Sequence, residues 1–244
     1  MAKSKFIHGE EAVEEAFFEA IPLQKILILK DHPIQDDELW QQIKQSGVPI
    51  QEVPYQKLRR EGAKKDTKVI AEKAPIAYYE SSDLVTSLFE EGRTPRLAFL
   101  DGITDVRNLG AIARSALCFD FHGLIIPHKN SAMVTHDAIH TSSGALEFLP
   151  VCREPTISHA IQKLKSYGLL INACSEKGEE NVMRANFTNP SGLVFGSEEK
   201  GISSAVLKQC DGHYFIPMSG PVGSLNVSVA AAVCFYEALR QNHS

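Results

Sequence analysis

The sequence of 244 residues lacks long apolar runs. Nowhere do about eighteen apolar residues follow one another, which is roughly the number that a membrane-spanning helix requires. Residues 1–11 contain basic side chains but no apolar stretch of the kind found in a secretory signal. We therefore expect a cytoplasmic protein that neither spans a membrane nor is secreted.

Closely spaced cysteines are also missing. The five cysteines are scattered without a CxxC pair, whereas structural zinc sites and disulfide frameworks use regular cysteine spacings. His136 and His140 have the spacing of two residues on one helix face, but no acidic residue completes a metal-binding pattern. The sequence favours a reduced protein without bound metal, in which both histidines have surface or packing roles.

The common nucleotide-binding and hydrolase motifs are absent as well. Residues 196–201 superficially resemble a phosphate loop, but a Walker motif requires Gly-Lys-Ser/Thr, and here Lys200 precedes Gly201. No GxGxxG sequence follows a predicted strand, so a nicotinamide or flavin cofactor has no support. The lack of a GxSxG elbow argues against a serine hydrolase.

The net charge of −5 has the wrong sign for a protein that coats nucleic acid through its overall charge. One local segment is nevertheless basic, and Glu61 and Asp66 are its only acidic residues. Its cations are Lys57, Arg59, Arg60, Lys64, Lys65 and Lys68. Contact with RNA and a plain solvated loop are two interpretations that the sequence leaves open.

The first third of the chain has the pattern of a small α/β unit. Helical spacing predicts helices over 8–18 and 39–43, and short apolar runs predict strands between and after them. The predicted strands or extended segments are 25–29, 49–53 and 69–77. We place the domain boundary after residue 79 and a linker, which contains one short helix, at 80–95.

The remainder of the chain alternates short apolar runs with helical segments, which predicts an α/β domain with a mostly parallel sheet. The predicted strands are 97–100, 123–126, 148–151, 169–173, 193–195 and 214–216. Ligands of open α/β sheets bind at the carboxyl ends of the strands. Three unusual segments follow the strands at 97–100, 193–195 and 214–216.

Each of these three segments has an ordinary interpretation when taken alone. The first, N-x-G-x-x-x-R at 108–114, suits a helix with Asn108 as its N-cap. The second, G-x-E-x-x-G at 196–201, suits a tight turn. The third, I-P-M followed by S-L-N-V-S-x-A within 216–230, suits a loop with Asn226 as the N-cap of an apolar helix.

In this order, however, the three segments resemble the three motifs of the SpoU (TrmH-like) RNA methyltransferases of the SPOUT superfamily. Residues 142–147, S-S-G-A-L-E, are similar to the SGA-x-E segment of that family. The resemblance covers about residues 96–241. In addition, the N-terminal unit resembles the small RNA-binding domain of ribosomal-protein type that many members carry.

The resemblance implies both a fold and an activity. It implies a C-terminal α/β domain at 96–244 with a trefoil knot, preceded by an RNA-binding α/β domain at 1–79. The implied activity is transfer of a methyl group from S-adenosylmethionine to a ribose 2′-hydroxyl of RNA. Two departures are Val106, where the family often has proline, and the absence near Lys68 of the Gln-Gly that commonly ends the N-terminal domain.

The resemblance also implies the site residues. The cofactor would lie against backbone groups near Gly196, Ile216 and Leu225, with Met218 as an apolar wall. The residues implied to shape the site or to act in it are Asn108, Arg114, Glu198, Ser224 and Asn226. The family proposal makes the arginine a general base, but a guanidinium has a pKa of about 12.5 to 13.8, so we favour electrostatic stabilisation of the ribose oxygen. No metal is required in that mechanism.

The implied partners are RNA and a second copy of the chain. Ribosomal RNA is favoured over transfer RNA because relatives with this N-terminal domain typically act on ribosomal RNA. A homodimer is expected because relatives build the RNA site across two knotted domains, and because the helix at 227–239 is apolar over more than one face. A catalytically silent RNA-binding relative and an enzyme that methylates a base stay open as alternatives.

Overall fold

The computed structural model describes residues 5–32, 38–221 and 223–242. The chain divides into two compact units between Ala77 and Tyr78, and each unit has its own β-sheet. Within these described ranges, no helix combines the length and the apolar character needed to cross a bilayer.

The first unit is a four-stranded sheet with helices on both faces. In the strand order β1-β4-β2-β3, β2 pairs in parallel with β3, and the remaining pairs are antiparallel. The strands are β1 (Phe6–His8), β2 (Leu23–Leu29), β3 (Ile50–Val53) and β4 (Val69–Lys73). The helices are α1 (Glu10–Phe18), α2 (Glu38–Gln45) and α3 (Tyr55–Arg60).

Side-chain alternation along β2 builds a core on each side of this sheet. Ile26 and Ile28 pack with α1 and α2, where the buried Trp40 donates its indole N–H to the Glu14 carboxylate (2.6 Å). Leu27 points to the opposite face and packs with α3. The predicted helices and strands of this unit are confirmed apart from their ends. Sequence reasoning missed β1, which has only three residues, and α3, which has one buried side chain.

The second unit contains a seven-stranded sheet in the order β7-β6-β5-β10-β8-β11-β9. Every neighbouring pair is parallel, so the prediction of a mostly parallel sheet is confirmed. The strands are β5 (Arg96–Asp101), β6 (Gly123–Pro127), β7 (Val151–Glu154), β8 (Leu170–Cys174), β9 (Glu180–Asn181), β10 (Ser191–Gly196) and β11 (Gly212–Phe215).

The strand predicted at 148–151 was placed wrongly. The chain forms a 3₁₀ turn at 145–147, and β7 begins only at Val151. Phe148, which made the segment look like a buried strand, has 75% of its surface exposed. Pro150 precedes the strand and has no backbone N–H to donate to a β-ladder.

Helices cover both faces of the second sheet. On one face, α4 and α7 pack over Phe99, Ile125 and Ile171. On the other face lie α5 and α9, and Phe235 of α9 contacts the rings of Phe121 and Phe195. The helices are α4 (Ser81–Glu90), α5 (Val106–Cys118), α6 (His136–Thr141), α7 (Ile157–Lys165), α8 (Ser204–Leu207) and α9 (Val227–Asn242). The segment predicted as a linker thus contributes α4 to this unit.

Helices α5 and α6 approach each other closely at Gly110. A β-carbon at this position would lie 2.8 Å from Cβ of Thr141, and 3.0 Å from both the carbonyl oxygen of Ala138 and the amide nitrogen of Ser142. The contact explains a glycine inside a helix, where it ordinarily costs about 0.5–1 kcal/mol relative to alanine. It also places the 142–147 segment directly beside α5.

We predict that Gly110→Ala destabilises the second unit, although alanine is the better helix former. The added methyl group has no space, and such overpacking costs about 1–3 kcal/mol, which lowers the thermal midpoint by roughly 2–4 °C per kcal/mol. The control is Gly220→Ala, where a β-carbon meets no atom within 4 Å. A midpoint for Gly110→Ala that equals or exceeds that of the wild type would contradict the packing argument.

Candidate active site

A cavity of about 310 Å³ opens at the carboxyl ends of β8, β10 and β11. Its walls come from the chain after β8, from the loop after β10 and from the segment between β11 and α9. The site residues predicted from sequence that line it are Gly196, Glu198, Ile216, Met218, Ser224, Leu225 and Asn226. The cavity therefore unites the second and third motifs, which lie about twenty residues apart in the chain.

The loop after β10 is a tight turn that depends on its first glycine. A β-carbon at Gly196 would overlap the carbonyl carbon of Gly201 and the amide nitrogen of Ile202. The turn is closed by a hydrogen bond from the Gly201 amide to the Ser197 carbonyl (2.8 Å). This closure leaves Glu198 exposed at the rim of the cavity.

Asn226 joins all three motifs through one side chain. Its Oδ1 accepts hydrogen bonds from the amide (3.0 Å) and the hydroxyl (2.6 Å) of Ser228, as expected of the N-cap of α9. Its Nδ2 donates to Oδ1 of Asn108 (3.1 Å) and to the carboxylate of Glu198. Since both ends of the amide are engaged, its orientation is fixed.

Asn108 is not the N-cap of α5, so that prediction was wrong. The helix begins at Val106, and the N-cap is Asp105, whose carboxylate accepts from the amide of Arg107 (2.7 Å). A carboxylate at this position interacts favourably with the helix N-terminus. Hydrogen bonds from the Arg107 side chain and amide lower the pKa of Asp105, so the cap stays charged at neutral pH. Asn108 thus lies inside the first turn, with its side chain available to Asn226.

Arg114 lies apart from the cavity within one chain. It is exposed on α5, and within the described residues its side chain has no hydrogen bond or ion pair. Because successive helical residues are rotated by about 100°, Asn108 and Arg114 point in directions about 120° apart. The structure therefore unites Asn108, Glu198 and Asn226 but leaves Arg114 separate.

Sequence reasoning missed the contribution of β8. Four residues at and after the end of β8 also line the cavity: Cys174, Ser175, Glu176 and Lys177. The position of β8 beside β10 brings its carboxyl end to the site, and the linear sequence contains no signal for that neighbour. A hydrogen bond with Cys234 and burial raise the pKa of the Cys174 thiol well above its ordinary value. Cys174 therefore stays protonated and weakly nucleophilic.

Metal-binding side chains do not gather in the described part of the chain. No group of three or more His, Cys, Asp or Glu residues there is arranged to hold a metal ion. His136 and His140 both lie on α6.

The fold and the site together define a class of protein. A cavity built by loops at the carboxyl edge of a parallel sheet, with glycine-dependent turns and a fixed polar network, is typical of an α/β enzyme domain that binds a small organic ligand. Residues 95–236 match the family described as "SpoU rRNA Methylase family". The chain belongs to this SpoU methylase family.

Known proteins similar to this chain agree with that assignment. An uncharacterized tRNA/rRNA methyltransferase of Synechocystis is 34% identical over 96% of this chain and 62% of its own length. The 23S rRNA (guanosine-2′-O-)-methyltransferase RlmB of Photorhabdus laumondii is 36% identical over 72% of each chain. The SpoU methyltransferase AviRb from Streptomyces viridochromogenes, solved in complex with AdoMet, has a TM-score of 0.59 at 23% identity and covers 98% of this chain and 90% of its own.

The chain is shorter than several of these relatives. It spans 62% of the Synechocystis protein, and 54% and 63% of two Mycolicibacterium proteins. The likeness to AviRb concerns the fold.

We predict that Asn226→Asp destabilises the second unit in a pH-dependent manner. The substitution replaces a donor by a carboxylate next to Glu198, and two carboxylates about 4 Å apart in water repel by about 1 kcal/mol. In the variant, repulsion between the two carboxylates raises their pKa. The resulting loss of folding stability is full above that pKa and disappears as the pH falls through it. The thermal midpoint relative to the wild type should therefore be lower at pH 8 than at pH 4.

Asn226→Ser is the matched control because a serine hydroxyl also caps a helix but brings no charge. The decrease in its thermal midpoint relative to the wild type should be the same at pH 8 and at pH 4. Equal deficits at both pH values for Asn226→Asp would contradict direct contact between residue 226 and Glu198.

Proposed function

We propose that the protein transfers a methyl group from S-adenosylmethionine to a ribose 2′-hydroxyl of RNA. The observation that carries this proposal is the side chain of Asn226, which joins the three motif segments at the rim of one cavity. Membership in the SpoU methylase family and the likeness to a guanosine-2′-O-methyltransferase support it. Ribosomal RNA is the substrate that we favour, with transfer RNA as the alternative.

The cavity suits S-adenosylmethionine. Its volume of about 310 Å³ lies within the range of roughly 300–1,000 Å³ found for small-ligand sites. The segments at 196–202, 216–218 and 224–226 offer backbone groups to an adenine and a ribose, and Met218 and Leu225 offer apolar contact. Glu176 and the rim carboxylates at 198 and 199 can face the positive sulfonium and ammonium groups, and Lys177 and Lys200, which also line the cavity, can face the carboxylate of the cofactor. The bound cofactor supplies an electrophilic methyl group on its sulfonium.

We propose that the second unit has the trefoil knot that the family resemblance implies, with its C-terminal chain threaded through a loop. The second and third motif segments, which line one cavity, lie in this part of the chain. The first unit is proposed to be the RNA-binding domain of ribosomal-protein type. Its four-stranded sheet with helices on both faces is compatible with that role.

Methyl transfer to a ribose hydroxyl requires alignment, loss of a proton and stabilisation of the developing alkoxide. We assign Glu198, Ser224 and Asn226 to the shaping of the site and Asn108 to the positioning of the substrate or of Arg114. Arg114 is assigned to the ribose oxygen and its neighbouring phosphate. A fixed cation beside a developing alkoxide stabilises it by roughly 3 to 4 kcal/mol in comparable sites.

A homodimer gives Arg114 a place in this mechanism. Exposed apolar side chains on α9, at Val229, Val233 and Tyr236, follow the spacing of one helix face. Leu117, which follows Arg114 by one turn on α5, is also exposed. We propose that a second copy covers these residues and that Arg114 enters the cavity of that copy.

We predict that the purified protein transfers labelled methyl groups to RNA in the presence of EDTA. Transcripts of ribosomal and transfer RNA are incubated with labelled S-adenosylmethionine and then hydrolysed with alkali. Since a 2′-O-methyl group removes the hydroxyl that attacks the adjacent phosphate, the label should appear in alkali-stable dinucleotides. Label in mononucleotides would indicate base methylation instead, and loss of transfer on chelation would contradict a mechanism without metal.

We predict that Arg114→Ala keeps the cofactor affinity and lowers single-turnover methylation by roughly a hundredfold or more. Arg114→Lys should recover only part of the wild-type methylation rate, because an ammonium group cannot reproduce the planar arrangement of N–H donors in a guanidinium. Both variants are compared with the wild type by calorimetry and rapid quench. Near-normal turnover of Arg114→Ala would remove Arg114 from the mechanism.

Mixing subunits tests whether Arg114 acts across the dimer. Arg114→Ala subunits are unfolded and refolded together with Asn226→Ala subunits, whose cavity is defective. With random pairing of equal amounts, half of all dimers are mixed, and each mixed dimer has one complete site of two, so activity should return to about a quarter of the wild-type value. No recovery would contradict action in the second copy.

A further inference from the structure

A compact basic surface lies on the first unit, distant in sequence from the cavity-lining residues. Segment 55–68 has a net charge of +4 in a chain whose net charge is −5. All six of its cations are exposed: Lys57, Arg59, Arg60, Lys64, Lys65 and Lys68. We call them the basic surface. A hydrogen bond from the Leu29 amide to the Lys68 carbonyl (2.8 Å) brings a further exposed cation, Lys30, beside it.

The backbone beneath the basic surface is held in place. Leu58 of α3 and Ala63 of the following turn are buried against Leu27, Val53 and Ile70. The turn itself is closed by hydrogen bonds from the Ala63 amide to the Leu58 carbonyl (2.9 Å) and from the Thr67 amide to the Lys64 carbonyl (3.2 Å). The cations therefore stand on an ordered scaffold, not on a solvated loop.

The cations of the basic surface have no counterions among the residues that the structure describes. Elsewhere in the same unit, Lys5 and Lys25 both pair with Glu72, at 2.8 and 3.0 Å. Within the described residues, none of the six cations forms an ion pair or a side-chain hydrogen bond, although Glu61 and Asp66 belong to the same segment. Clustered cations that repel one another without compensation indicate an anionic partner.

We infer that the basic surface binds the phosphate backbone of the RNA substrate, an inference that rests on the proposed function. Lysine and arginine side chains that replace condensed counterions supply the sequence-independent part of nucleic-acid binding. Tyr55, a residue that is 40% exposed at the start of α3, offers an aromatic ring on which an unpaired base can stack. A membrane surface is a poorer match, because Leu58 is buried and no apolar side chain of α3 other than Tyr55 projects outward.

The test uses the full chain and a fluorescein-labelled 30-nucleotide stem-loop RNA. Fluorescence anisotropy measures the dissociation constant between 50 and 300 mM KCl for the wild type and for Lys64→Gln/Lys65→Gln. If both lysines contact phosphates, the slope of log affinity against log salt should fall by about 1.4–1.8. Affinity at 50 mM KCl should fall at least tenfold, while the affinity for S-adenosylmethionine stays unchanged.

The matched control is Arg184→Gln/Lys208→Gln, which removes the same charge from two exposed cations of the second unit. It should keep most of the wild-type affinity and slope. Equal losses in both double variants would mean that only overall charge matters and would overturn the inference.

An unchanged slope in Lys64→Gln/Lys65→Gln would overturn the inference as well. If the wild type still methylates RNA, the proposed function survives that result. If the wild type transfers no methyl group, the proposed function has failed independently of the basic surface.

Discussion

The hydrogen bonds of Asn226 are the interaction on which the candidate site depends. The side chain must accept a hydrogen bond from the Ser228 amide at the start of α9 and donate hydrogen bonds to both Asn108 and Glu198. Only a carboxamide offers an acceptor oxygen and two N–H donors on one short, planar group. Aspartate caps a helix equally well but has no donor, and serine has a single one. The motif therefore requires asparagine for a reason that helix capping alone does not supply.

Parallel strand pairing brings the partners of Asn226 together. Strand β10 lies between β5 and β8, and Gly196 at its end is in register with Asp101 of β5. Motif one follows β5 and motif two follows β10, so both start from neighbouring points on one sheet edge. A further hydrogen bond, from the Ser203 amide to the Asp101 carboxylate (2.8 Å), ties the two strand ends. The order of the strands therefore sets the distance between Asn108 and Glu198, the two residues that Asn226 connects.

Local features were predictable from the sequence, and features that depend on sheet order were not. The apolar runs that became β5, β8 and β10 were found because burial on both faces gives continuous hydrophobic segments. The helix-cap role of Asn226 was found as well, whereas Asn108 was misassigned because Asp105, three residues earlier, is an equally good cap. The cavity wall from β8 stayed hidden, since nothing in Cys174 or Ser175 indicates which strand lies beside them. The strand at 148–151 was predicted wrongly because the apolar character of Phe148 does not reveal whether its side chain is buried or exposed.

The cavity lining and the basic surface differ in charge and therefore favour different ligands. The cavity lining contains three carboxylates, on Glu176, Glu198 and Glu199, and two ammonium groups, on Lys177 and Lys200, so its formal charge is −1. Under the proposed function, a cavity of this charge offers no net attraction for an acceptor ribose, which carries a phosphate on each side. In the proposed function, the RNA must therefore be attracted by cations outside the cavity. A further cation is required next to the reacting ribose oxygen, where negative charge develops. Within that proposal, the basic surface meets the first requirement and the exposed Arg114 meets the second, since neither has an ion pair within the described residues.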